Sequence, residues 1–157
     1  MADGIPLTGL VDQYLAGLEA EISILLQLQR VAGLQHDASE AHDLDRLNLA
    51  GDERDRLMTA LVSIEGPLRD LRQTLTTHRK QARLVAGYAE ALALHAEAVA
   101  LVEKILKTDE ASVQALERAE RARRDAARAT EQGETTLAAY RRVISAAPGA
   151  TLVDRRG

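Results

Sequence analysis

The chain has no cysteine, no phenylalanine and no tryptophan, and only three prolines in 157 residues. Without cysteine there are no disulfides, no thiol nucleophile and no cysteine-ligated metal, and the composition suits a reducing compartment. Without Phe or Trp, a core must be assembled from Leu, Val, Ile, Met and Ala, the vocabulary of helix bundles and coiled coils. No apolar run approaches the roughly 18 residues of a membrane span. The N-terminus lacks the basic start and apolar block of a signal peptide, so a cytoplasmic protein is expected.

Charge is also short of one sign in places. Residues 1–60 carry 11 acidic and 4 basic side chains, a net of −7, and the remainder carries 13 acidic and 16 basic, a net of +3. A nucleic-acid binder would show a stronger basic excess and a recognisable module, so no nucleic-acid partner is expected. The arginines from Arg118 to Arg128 are interleaved with Glu117, Glu120 and Asp125. That pattern reads as i,i+4 pairing on a solvated face.

What is abundant is helix former. Residues 88–144 contain no Pro and one Gly, and are rich in Ala, Leu, Glu and Arg, which predicts one long helix. Its apolar positions, Tyr88, Leu92, Val99, Val102, Leu106, Val113 and Leu116, recur at spacings of a single helix face, with Leu94 and Ile105 widening the stripe. Beyond Leu116 the face continues with the small residues Ala119, Ala122, Ala126 and Ala129. Large residues return at Leu137, Tyr140, Val143 and Ile144. A helix over this span would be roughly 85 Å long, and two upstream helices of about 40 Å each cover only part of it. The second half therefore bends back, projects, or awaits a partner. Thr108-Asp109 is the candidate break, because Asp is a poor interior residue and a good cap; otherwise Asp109 is a solvated residue in an unbroken helix.

Upstream, Pro6 suits a first helical turn. Leu7, Val11, Tyr14, Leu18, Ile22 and Leu25 mark one face, with Leu10, Leu15 and Leu26 beside it, in a helix expected to end near Leu34. Residues 35–52 are polar and acidic and are expected to form a connector with a helical piece, including a capping start at Asp37-Ala-Ser-Glu40. Asp52 is the expected cap of a second helix, whose stripe Leu57, Leu61, Ile64, Leu68, Leu71, Leu75 and His78 repeats every seven residues. Pro67 should kink it without splitting it, because the stripe keeps its phase. Residues 79–87 are the expected turn into the long helix. Residues 1–6 and 145–157 are expected to be flexible tails. The resulting expectation is an all-α single domain: an antiparallel helical hairpin packed on one long C-terminal helix, a three-helix, coiled-coil-like bundle.

No catalytic constellation emerges. His36 and His42 fall in the acidic connector and read as solvated. A di-iron bundle would need two Glu-x-x-His motifs, and none occurs. His95 lies on the apolar face of the long helix, where a satisfied interfacial histidine is expected; a phosphorelay histidine would typically be followed by Lys-Gly, which is absent. There is no Gly-rich phosphate loop and no nucleophile elbow. No enzyme, no cofactor and no metal site are expected.

Several segments together resemble the FlgN family of flagellar export chaperones. They are the N-terminal helix Tyr14-Leu-Ala-Gly-Leu-Glu-Ala-Glu-Ile22, the acidic Asp43-Leu-Asp-Arg-Leu47, the charged Asp52-Glu-Arg-Asp-Arg-Leu-Met58, and a closing helix with Ile105-Leu106, Asp109, Glu117 to Arg124, Gly133-Glu-Thr-Thr-Leu137 and Tyr140-Arg-Arg142. Arg54 and Arg56 stand where family members commonly carry Lys. The resemblance spans nearly the whole chain. It implies a cytoplasmic chaperone without ATPase activity that binds hook–filament junction (hook-associated) proteins, at their terminal helices, before type III export. It also implicates the C-terminal part of the long helix in partner contact. On the residues themselves, the unfinished face beyond Leu116 makes the same point. Leu116, Ala119, Arg123, Ala126, Leu137, Tyr140, Val143 and Ile144 are the candidate partner-binding residues. A homodimer, in a coiled-coil structural or adaptor protein, is the other arrangement that would complete this face.

Overall fold

A computed structural model describes the backbone of residues 6–156 and the side chains of residues 6–145. Among them there are helices and no strands: α1 (Leu7–Ala41), α2 (Leu44–Thr77), α3 (Arg79–Ala82) and α4 (Tyr88–Arg156). The chain divides into two units, Met1–Leu116 and Glu117–Gly157. The expected N-terminal tail lies, apart from Pro6, outside the described residues.

The link between α1 and α2 is far shorter than the composition of residues 35–52 suggests. It shrinks to His42-Asp43, and the rest of the expected connector is helix. His42 closes α1 in the left-handed region at φ 54°, and the Asp43 N–H reaches the Ala38 carbonyl at 2.9 Å. Asp43, not Asp52, caps α2, its carboxylate accepting from the Arg46 N–H at 3.1 Å. Ser39 is buried and donates to the Gln35 carbonyl at 2.7 Å, a helical use of a residue that looked like the start of a cap.

α1 and α2 are antiparallel neighbours. Arg72, near the end of α2, donates to the Tyr14 hydroxyl near the start of α1, while Arg54, near the start of α2, donates to Gln35 near the end of α1. At Gly17 the two helices approach closely, because a Cβ there would run into the Leu68 side chain. α2 passes through Pro67 as one helix, as its unbroken phase predicts. Gly87 begins α4 at φ 92°, and an added Cβ would lie 2.9 Å from Leu15 Cδ1. Both the backbone angle and the space therefore demand glycine there.

Two apolar clusters fill Met1–Leu116. One joins Val11, Tyr14 and Leu18 of α1 to Leu68 and Leu75 of α2 and to Tyr88 and Ala91 of α4. The other joins Ile22, Leu25 and Leu28 of α1 to Ala98, Leu101 and Ile105 of α4, with Leu57 and Leu61 of α2 against it. The faces expected for α1 and α2 are the packed ones. Of the face expected for α4, Tyr88 and Ile105 are buried and Leu94 is half-buried against the clusters, but the rest of the stripe is not packed. Leu92, Val99, Val102, Leu106, Val113 and Leu116 are all exposed, while Ala91, Ala98, Leu101, Ile105 and Ala115 are buried. The packed face is displaced by one residue, about 100° of helix rotation. Ala91 and Ala98 let the α4 backbone approach α1 closely, and Leu101 and Ile105 supply the volume.

α4 also runs unbroken through Thr108-Asp109. Asp109 is neither a break nor a solvated residue: its two oxygens accept from Arg54 at 2.7 and 2.6 Å. With Gln35 on the same guanidinium at 2.7 Å, this clamp ties α1, α2 and α4 together at one end. The tail expected from Ser145 is helical backbone as far as Arg156.

Candidate functional site

The buried residues of the two apolar clusters are distinct, bridged by the half-buried Leu94, and a layer of polar side chains lies at the level between them. Glu21 sits between Leu18 and Ile22 on α1, Glu65 between Leu61 and Leu68 on α2, and His95 between Ala91 and Ala98 on α4. Each is three or four residues from buried or half-buried apolar neighbours on its own helix, so helical geometry turns it inward. Arg72, also on α2, completes the group. Its Nε donates to the Tyr14 hydroxyl at 2.9 Å, its Nη1 lies 3.7 Å from Glu65 Oε1, and its guanidinium lies 5.7 Å from the Tyr14 ring centre.

The layer is incompletely satisfied. Glu21 is only 6% exposed, yet its Oε2 has no hydrogen-bond partner, and neither does the buried Nδ1 of His95. His95 is therefore interfacial, as expected, but its Nδ1 is left unsatisfied. Burial, then the hydrogen bond and negative charge of Glu65, push the Glu21 carboxyl up to about 7, with Arg72 pulling the other way. Burial first, and then the nearby Arg72 charge, hold His95 below the ordinary imidazole range. An unsatisfied buried polar atom costs about 1–3 kcal/mol, so such atoms are rare and call for an explanation.

Above this layer lies a groove of about 390 Å³ between α2 and α4, floored by Glu21 and Leu25 of α1. Leu61, Val62 and Glu65 form the α2 wall, and His95, Val99 and Val102 the α4 wall, with Glu103 at the rim. Val62 is 68% exposed, and the displaced stripe of α4 forms the opposite lip. Apolar side chains of two different helices thus face solvent over a buried, unpartnered carboxyl oxygen.

The partner-binding residues expected from sequence are distributed differently. Leu116 belongs to the first unit and is exposed. In Glu117–Gly157, Ala119 is half-buried and Ala126 is exposed. Arg123 is engaged by Glu120 at 2.9 Å, and Arg124 reaches the same carboxylate at 3.3 Å. Leu137, Tyr140, Val143 and Ile144 are each more than half exposed. At 100° per residue these four span an arc of roughly 120° on one side of the helix. Sequence reading missed Glu21, Glu65 and Arg72. The signal was available: Glu21 continues the Leu18–Leu25 spacing and Glu65 the Leu61–Leu68 spacing, positions that ought to be apolar.

His36 lies within α1, its Nε2 3.8 Å from Glu40, whereas His42 is in the two-residue connector and caps α1. Among the described residues no three His, Asp or Glu side chains gather to hold a metal ion. No helix among them is long and apolar enough to cross a membrane. Fold and site together define an all-helical protein carrying an apolar groove over a polar layer. No family model matches the chain, no curated protein aligns with it, and no solved structure is similar to it.

Proposed function

We propose that the protein is a non-catalytic, cytoplasmic chaperone of flagellar type III export that holds the terminal helices of hook–filament junction proteins. In this reading the antiparallel pair α1–α2 packs on α4 as a stable base, and residues 117–145 offer the binding face. The observation that carries it is the exposure of Leu137, Tyr140, Val143 and Ile144 on one side of a helical segment, residues 117–145, in which no side chain is buried. Large apolar groups of this kind supply most of the energy of helix-in-groove and helix-on-helix recognition. The segments resembling the FlgN family point to the same partner class. Substituting Leu137→Ala together with Tyr140→Ala should abolish capture of a purified hook–filament junction protein while circular dichroism stays unchanged. Undiminished capture would sink the reading.

A second reading, a homo-oligomeric coiled-coil adaptor, is favoured by one pattern. Ala91, Ala98, Ile105 and Ser112 are buried at seven-residue spacing, and that spacing continues in sequence through Ala119, Ala126, Gly133 and Tyr140. Such a repeat fits a face that pairs with another helix throughout. Light scattering on the full chain separates the two: a dimer that Leu137→Ala with Tyr140→Ala converts to monomer would put the adaptor ahead.

A further inference from the structure

We propose that the groove between α2 and α4 receives an amphipathic helix of a partner protein, whose apolar side covers Val62, Val99 and Val102 and whose single inward Lys or Arg reaches the Glu21–Glu65 carboxyl pair. This site lies within Met1–Leu116 and is independent of the face around Leu137 and Tyr140.

Three observations converge on this occupant. The first is shape. The exposed stripe of α4 from Leu92 to Leu116 covers 24 residue steps, about 36 Å of helix, far longer than a small molecule and well matched to another helix. Met58 and Val62 of α2 are exposed on the other lip. Two helices with apolar residues turned out beside a groove have the form of a four-helix bundle lacking one helix.

The second is charge. Glu21, Glu65 and Glu103 line the groove against one guanidinium, that of Arg72. Arg72 is already committed to the Tyr14 hydroxyl and to Glu65. Glu21 is therefore left without a hydrogen-bonded cation, and a purely apolar helix would seal its carboxyl away from water at a cost, with Oε2 still unpaired. A helix carrying one cation at the level of Glu21 removes that cost and fixes its own register at the same time.

The third is the unpartnered atom. Glu21 is more than nine-tenths buried, lines the groove, and keeps Oε2 without a hydrogen-bond donor among the described residues. His95 Nδ1 is a second buried atom in the same layer without a partner. An ammonium or guanidinium brings several donors on one flexible stem, and Arg72, already engaged by Tyr14 and Glu65, does not supply one to Glu21 Oε2. The apolar stem of Lys or Arg would run along Val99 and Val102, as such side chains do on apolar surfaces.

The test uses the full chain and a labelled synthetic helix of about 24 residues. The helix has leucine at its inward heptad positions and one central lysine among them; a control peptide carries norleucine there. Binding is read by fluorescence anisotropy. The lysine peptide should bind the native protein about tenfold more tightly than it binds Glu21→Gln. The norleucine peptide should not distinguish the two proteins. Val62→Lys, at an exposed site that does not threaten folding, should eliminate binding of the lysine peptide by charge and obstruction. Binding that survives Leu137→Ala with Tyr140→Ala places the peptide in the groove, and binding lost with that pair overturns the proposal without touching the proposed function. Equal affinity of the lysine peptide for native protein and Glu21→Gln, or no binding at all, also overturns it. So does a native chain of doubled mass in sedimentation that Val62→Lys returns to monomer, because a second copy would then be the occupant.

Discussion

In Met1–Leu116 the helices bury Leu, Ile, Val and Tyr side chains against one another, whereas no side chain in residues 117–145 is buried. Both regions are helical, for different reasons. In the first, two apolar clusters and the Arg54–Asp109 clamp hold helices in place, and local propensity is secondary. In the second, the helix rests on Ala119, Ala122, Ala126 and Ala129 and on short-range ion pairs such as Glu120 with Arg123 and Arg124. Helices of that kind are marginal alone in water, and tertiary or partner contacts normally supply their stability. The difference teaches where a change should cost folding and where it should cost only recognition.

The sharpest way to break that comparison is to make one chemical change in each region. Leu68→Ala, at a side chain 1% exposed and pressed on Gly17, should destabilise the fold by about 3 kcal/mol. Leu137→Ala removes the same atoms and should move stability by no more than about 0.5 kcal/mol. Urea unfolding of both variants checks this. Comparable losses would show that the second region is packed.

Next in size is the polar layer. The Glu21 carboxyl is raised from its ordinary value to about 7. The folded state therefore binds the proton more tightly than the unfolded state. Its contribution is fully present below the unfolded value near 4.5 and is lost as pH rises through about 7. Glu21→Gln carries no such charge, so it should be more stable than the native chain by about 3 kcal/mol at pH 8 and nearly equal to it at pH 4. Glu65, Arg72 and His95 are retained in both proteins, so the comparison tests the substituted carboxyl in its own surroundings. Parallel curves from pH 4 to pH 8 would refute the assignment.

The clamp sharpens the contrast between structural and surface ion pairs. Arg54 and Asp109 are 24% and 29% exposed, so Asp109→Ala should cost about 1–2 kcal/mol by leaving a half-buried guanidinium without its partner. Glu120→Ala, which breaks an exposed pair, should leave the unfolding midpoint where it is. A similarly small effect on stability is expected for Leu137→Ala with Tyr140→Ala, whose consequence belongs to partner capture. Amide exchange should grade the same way, with residues 117–145 exchanging much faster than the buried turns of α1.

Several features were legible in the residues alone. The helical class followed from abundant Leu, Ala, Glu and Arg and from scarce Pro and Gly. The inward faces of α1 and α2 followed from seven-residue spacings in which large apolar side chains have no close competitor. The passage of α2 through Pro67 followed from a stripe that kept its phase. Three features were not legible, and each depends on what a residue meets rather than on what it is. The 35–52 segment looked polar because its side chains are mostly turned to solvent, but its backbone is helix on both sides of His42-Asp43. Asp109 looked like a break or a solvated residue because its partner, Arg54, lies 55 positions away. The packed side of α4 was misplaced because counting hydrophobicity prefers Val and Leu, whereas a close helix crossing prefers Ala91 and Ala98. Sequence by itself determined that these helices form and which sides of α1 and α2 turn inward, since propensity and periodicity are local. Only the tertiary structure decided the rotation of α4, and with it the groove, the polar layer and the buried Glu21, since rotation is set by how closely neighbouring backbones can approach.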